Sequence, residues 1–179
     1  PREKMRSTVE EWKTALNGQL RKRGDPVAEW EERDDAPDFA EQLRWDGLGT
    51  LRLAAMLDER RGATVPWEPT EIPTSHEAWS HWWEGVADSR YLHLVVPDLW
   101  VPGSFDPVLR ICNPVGENLS VGCTGRLLNA LRTLAQRHRA RFASAPESPF
   151  LAVAGDMLDR ALRLAMLANE HQLPVVLST

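Results

Sequence analysis

The stretch SVGCTGRLLNAL, residues 120–131, sets Cys123 between Gly122 and Gly125 just where a strong helical pattern begins. A helix N-terminus presents unpaired amides and roughly half a positive charge, so it attracts anions and lowers the pKa of a nearby thiol. Three chemistries suit such a segment. Cys123 could be a nucleophile, with His93 on a neighbouring predicted strand as its base. Gly122 and Gly125 could admit a small anionic ligand to the backbone, with Arg126 pairing its charge. Or the segment only turns a strand into a helix. The helix start decides how strongly the thiol feels the dipole. With Ser120 as cap, Cys123 lies in the first turn; with Thr124 as cap, it falls outside. GCTG also lacks the G-x-x-x-x-G-K-[ST] spacing of a nucleotide loop. The structural turn is the reading adopted, with the thiol enzyme or anion binder as the alternative.

The other titratable residues suggest less. His76 and His81 stand five apart, which on a helix turns them away from a shared metal; the ligating spacing would be i, i+4. His138 and His171 lie near helix C-termini, where an imidazolium is favoured. No metal site and no cofactor is expected. The acids between Glu29 and Asp38 lie in a solvated, Pro-interrupted stretch. Nothing there predicts the desolvation that would separate two carboxyl pKa values for acid–base work. The ordered Asp-x-Asp-x-Asp-Gly loop of a calcium site is missing too.

Charge points elsewhere. The chain carries a net −5, and residues 25–46 hold nine acids against two arginines, a local −7. Such a segment repels nucleic acid and anionic membrane and steers a cationic partner. Trp30 and Trp45 lie within it and Trp12 on the adjoining helix, three of eight tryptophans in the chain. Tryptophan serves equally as core and as interface hot spot. The expected function is therefore a non-enzymatic, protein-binding one. A basic protein partner would meet Trp30, Glu31, Glu32, Asp34, Asp35 and Trp45. Small acidic immunity proteins that plug basic toxins work on this principle, an analogy of charge rather than of sequence.

These residues need elements to position them. Met5, Val9, Trp12, Leu16 and Leu20 keep one face apolar and predict a helix over 2–23, closed by Gly24. Phe39, Ala40 and Leu43 mark a second helix ending near Gly47, and a third runs from Leu48 to Arg61. Pro66, Pro69 and Pro73 make 62–73 a loop. Thr74 to Glu77 has the capping-box pattern, opening a helix with Trp79, Trp82, Trp83 and Val86 on one stripe. YLHLVV, 91–96, alternates with a period of two and predicts a strand. Leu99–Val101 and Val108–Cys112 predict two more, and Leu119–Val121 an edge strand. Leu127, Leu128, Leu131 and Leu134 give a helix over 124–139. Ser148-Pro149 starts another that runs to Glu170, and LPVVLS a last strand. The expected fold is α+β: a small, mainly antiparallel sheet of four to five short strands from residues 91–121 plus 174–178, flanked by helices. Residues 1–179 read as one domain, with 1–61 a helical N-terminal subdomain and 74–179 the α+β core.

Two cysteines are too few for a disulfide scaffold. The charged first residues have no apolar h-region, and no apolar run is long enough to span a bilayer. A cytoplasmic protein away from membranes is expected.

Overall fold

The structure is a computed structural model, and it describes residues 2–31, 35–37, 39–40, 46–60, 64–70, 73–112, 116, 118–142 and 148–176. Among them are six α-helices and four strands in an α+β arrangement. The helices are α1 (Arg2–Arg23), α2 (Gly47–Glu59), α3 (Glu77–Glu84), α4 (Leu92–Val95), α5 (Thr124–Phe142) and α6 (Pro149–His171). The strands are β1 (Leu99–Val101), β2 (Leu109–Cys112), β3 (Asn118–Cys123) and β4 (Val175–Val176).

The sheet is mixed, in the order β2-β3-β1-β4. β2 and β3 form an antiparallel pair with Leu109 opposite Val121. β1 runs parallel to β3, with Leu99 beside Val121 and Val101 beside Cys123. β4 returns antiparallel to β1. The 118–123 strand is thus interior rather than the edge strand its sequence suggested, and it is longer. Two neighbours cover its backbone, which lets its apolar end, Val121 to Cys123, be fully buried.

Strand alternation sorts the core onto two faces of this sheet. On one, Trp100 and Val175 join Leu51, Leu53, Met56, Tyr91, Leu94, Leu131, Phe150 and Met157, so α2, α4, α5 and α6 share a single cluster. On the other, Val101, Leu109, Ile111, Val121 and Cys123 meet Leu16 and Leu20 of α1, together with Ala28, Trp30 and Phe105.

The helix ends follow their sequence signals in most places. Gly24 takes φ +78° after α1, and the Asp25 amide reaches back to the Leu20 carbonyl at 3.0 Å. That pair of features is a left-handed C-terminal cap. The Ser148 hydroxyl accepts from the Leu151 amide at 3.1 Å, with Pro149 in the first turn of α6. At α3 the cap differs from the expected box. Residues 73–75 form a single 3-10 turn, and the Nδ1 of His76 accepts from the Ala78 amide at 3.1 Å. The stripe of three indoles is also split: Trp82 is buried, Trp79 half-buried and Trp83 exposed.

Residues 91–96 are a correction to the expected strand. They form the short helix α4 and its flanks, with the Leu94 and Val95 amides both 2.9 Å from the Tyr91 carbonyl. Tyr91, Leu94 and Val95 also satisfy i, i+3, i+4, and that helical period wins because all three side chains are buried in the first cluster. The expected second helix falls largely on residues outside the described set; Phe39 and Ala40 themselves are not helical.

Candidate functional site

Two places gather the residues singled out in the sequence. The first is the β3–α5 junction. Helix α5 begins at Thr124, directly after the strand, so Cys123 precedes the first turn. His93 of α4 does come next to Cys123, but to its backbone. The Cys123 amide donates to His93 Nδ1 at 3.1 Å. An Nδ1 that accepts leaves the proton on Nε2, which donates to the Asp106 carbonyl at 2.8 Å. Both ring nitrogens are therefore committed, in the neutral tautomer. Burial holds the His93 pKa below its ordinary value, against the opposing pull of the Asp106 carbonyl.

The sulfur of Cys123 is directed elsewhere, to the Phe105 carbonyl at 3.2 Å, on the α1 side of the sheet. It has no solvent exposure, and burial pushes the thiol up to about 11. A thiol in that state is overwhelmingly protonated at neutral pH and a poor nucleophile. No disulfide joins the two cysteines: Cys112 is exposed and Cys123 buried.

The two glycines have steric reasons of their own. A Cβ on Gly122 would lie 2.7 Å from Pro97 Cγ and 2.9 Å from His93 Nδ1, so the missing side chain makes room for the imidazole. A Cβ on Gly125 would lie 2.7 Å from the Gly103 carbonyl oxygen, and that oxygen accepts from the Gly125 amide. The protein's own groups thus occupy what an anion would use. Arg126 forms an ion pair with Asp106, closing the same loop over the junction.

The second place is the start of the acidic segment. Buried Asn17 of α1 clamps it through both amide atoms: Asn17 Nδ2 donates to the Ala28 carbonyl at 2.9 Å, and the Ala28 amide donates to Asn17 Oδ1 at 2.8 Å. Fixed in this way, the extended chain alternates. Ala28 and Trp30 point inward; Glu29 and Glu31 are exposed. Trp30 is only 6% exposed and packs edge to face against Trp12, ring centroids 6.2 Å apart. A cavity of about 510 Å³ opens beside it, lined by Lys13, Glu29, Trp30, Glu31, His171 and Gln172. The wall supplied by α6 ends in Gln172, whose backbone is left-handed at φ 54°, and the His171 ring lies tilted against Phe39 with ring centroids 5.2 Å apart. Asp35 is exposed a few residues on. Glu32, Asp34 and Trp45 lie outside the described residues.

A third polar assembly went unseen in the sequence. Asp58, on α2, is buried and accepts from the Tyr91 hydroxyl at 2.6 Å and from Arg137 of α5. Next to it, Glu59 accepts from Trp82 Nε1 at 3.0 Å, the Ser89 hydroxyl at 2.8 Å and the Arg90 amide at 2.9 Å. Asp58 takes both donors on Oδ2 and Glu59 shares its donors between its two oxygens, and together they brace α2 against α3, α4 and α5. Burial, followed by the bond to Asp58, raises the Tyr91 pKa well above the usual phenol range.

No protein-family model, curated protein or solved structure matches the chain.

Proposed function

We propose that this chain is a non-enzymatic binding protein that receives a cationic protein partner on the acidic surface around the Trp30 cavity. The observation that carries the reading is the clamp of Asn17 on Ala28, which holds Glu29 and Glu31 outward at the mouth of a cavity floored by an indole. Carboxylates carried outward by a clamped backbone beside an aromatic surface suit recognition of arginine or lysine side chains, and the local −7 supplies steering over a longer range. An immunity-like role, in which this face neutralises a basic protein, is the form of the reading that fits both features. The commitments of Cys123 and His93 at the other junction favour binding over thiol chemistry.

Calorimetric titration with a synthetic oligo-arginine peptide, and with oligo-glutamate as the opposite-charge control, tests it. Wild-type protein should bind the first and not the second, with affinity falling as salt rises. Reversal at Glu29, Glu31 and Asp35 together (each to Lys) should abolish the signal. Absence of oligo-arginine binding by the wild type, or binding that survives the triple reversal, contradicts the proposal.

A further inference from the structure

We infer that Lys13 is an internal occupant of the Trp30 cation site, and that an arginine of the partner takes its place on binding. The inference rests on the function proposed above and adds the chemistry of its central contact.

Four observations converge on Lys13. Its ammonium sits over the Trp30 ring, 4.9 Å from the centroid, where a ring quadrupole attracts a cation. The same ammonium donates to the Trp30 carbonyl. Its only ion pair within the described residues is a loose one, 3.7 Å to the exposed Glu10 of the same helix. Lys13 and Trp30 line one cavity together, with Glu29 and Glu31 beside them. The lysine therefore fills the contact that an incoming cation would want, while the carboxylates that would complete a guanidinium site stand on the adjoining wall.

Exchange is chemically reasonable in this direction. A lysine stem is flexible and its ammonium strongly hydrated, so water offsets the indole contact and the carbonyl bond that it gives up on leaving. A guanidinium stacks better on an indole, is less hydrated, and meets carboxylates through two parallel hydrogen bonds. The cavity, about 510 Å³, falls within the size range of pockets that enclose small ligands. Lys13 thus acts as a built-in competitor: it keeps the indole covered in the free protein and raises the threshold for weak cations.

Removing the competitor should tighten binding. Lys13→Gln is expected to bind oligo-arginine about two- to fivefold more tightly than wild type, the size of one cation–π contact at a partly exposed site. Lys22→Gln, which deletes an exposed charge on the same helix, controls for the change in net charge and should have a smaller effect that vanishes at high salt. Equal effects of the two variants, or weaker binding by Lys13→Gln, overturn the inference. A readout on the wild type guards against a local folding defect in the variant. The chain has three lysines, so acylation of each can be followed by mass spectrometry. Saturating oligo-arginine should increase Lys13 acylation as the side chain is displaced; protection of Lys13 on binding overturns the inference as well. If wild-type protein binds no oligo-arginine at all, the proposed function fails. If it binds and Lys13 stays in place, the function stands and only the displacement is wrong.

Discussion

Substitution of Gly122 by alanine separates a structural glycine from one that admits a ligand. The added Cβ would stand 2.7 Å from Pro97 Cγ, 2.9 Å from His93 Nδ1 and 3.1 Å from Trp100 Cδ1. None of these is the free end of a flexible chain. The proline ring is rigid, His93 is bonded at both nitrogens, and Trp100 is buried with its Nε1 donating to the His93 carbonyl. Either α4 or β3 must shift. Overpacking of a filled site costs about 1–3 kcal/mol. The shift also breaks the buried bond from the Cys123 amide to His93, roughly 1 kcal/mol more. A total of about 2–4 kcal/mol corresponds to a Tm drop of roughly 5–15 °C for a chain of this length. Urea denaturation should show the loss as a lower midpoint at unchanged slope. Gly155→Ala is the control. It lies inside α6 with nothing among the described residues within 4 Å of the new Cβ, and it should gain about 0.5–1 kcal/mol. If Gly122→Ala is as stable as wild type but loses binding of a small anion, the glycine serves a ligand, and the account of this junction is refuted.

Other outcomes follow from the same geometry. Iodoacetamide at mildly alkaline pH should label Cys112 in the native protein and Cys123 only after unfolding; rapid native labelling of Cys123 contradicts its burial. Tyr91→Phe should cost about 1–3 kcal/mol in thermal or urea unfolding, because the buried Asp58 carboxylate loses its phenol donor and keeps only Arg137; a cost below about 0.5 kcal/mol would show that the network contributes little. Stability should be greatest between about pH 6.5 and 9. His93 is held below its ordinary 6.5, so its contribution is complete above that pH and is lost as pH falls. Cys123 is raised from 9.0 to about 11, so its contribution is complete below pH 9 and is lost as pH rises, on the order of 2–3 kcal/mol by pH 11. The urea midpoint across pH checks both limbs, and an alkaline limb no shallower in Cys123→Ala would contradict the second.

Long helices were legible in the sequence because their signals repeat. The apolar stripe from Val9 to Leu20 and the Ser148-Pro149 start each lead to the helix observed. Short elements were harder. In YLHLVV six residues fit two periods at once, and the deciding contacts lie far away: the Tyr91 hydroxyl needs Asp58, and the His93 ring needs the space over Gly122. Strand order was out of reach for a related reason. Nothing local to Leu119–Val121 says that β1 will run parallel beside it and convert an edge into the centre of the sheet. The clamp on the acidic segment was hidden for the same cause, since Asn17 reads as one polar residue in a helix until Ala28 is placed against it. A signal for Asp58 did exist: an acid on a helix that is apolar on more than one side, in a chain with a single tyrosine. Only the fold shows that the two meet.

The most direct test of where function resides is a two-dimensional amide NMR titration of the labelled protein with oligo-arginine, since it reports on both candidate places at once. Shifts should concentrate at Lys13, Glu29, the Trp30 indole, Glu31 and His171, with the amides of Gly122 to Arg126 unmoved. Shifts centred on Gly122 to Arg126 instead, or none at saturating peptide, would contradict the assignment of binding to the acidic cavity.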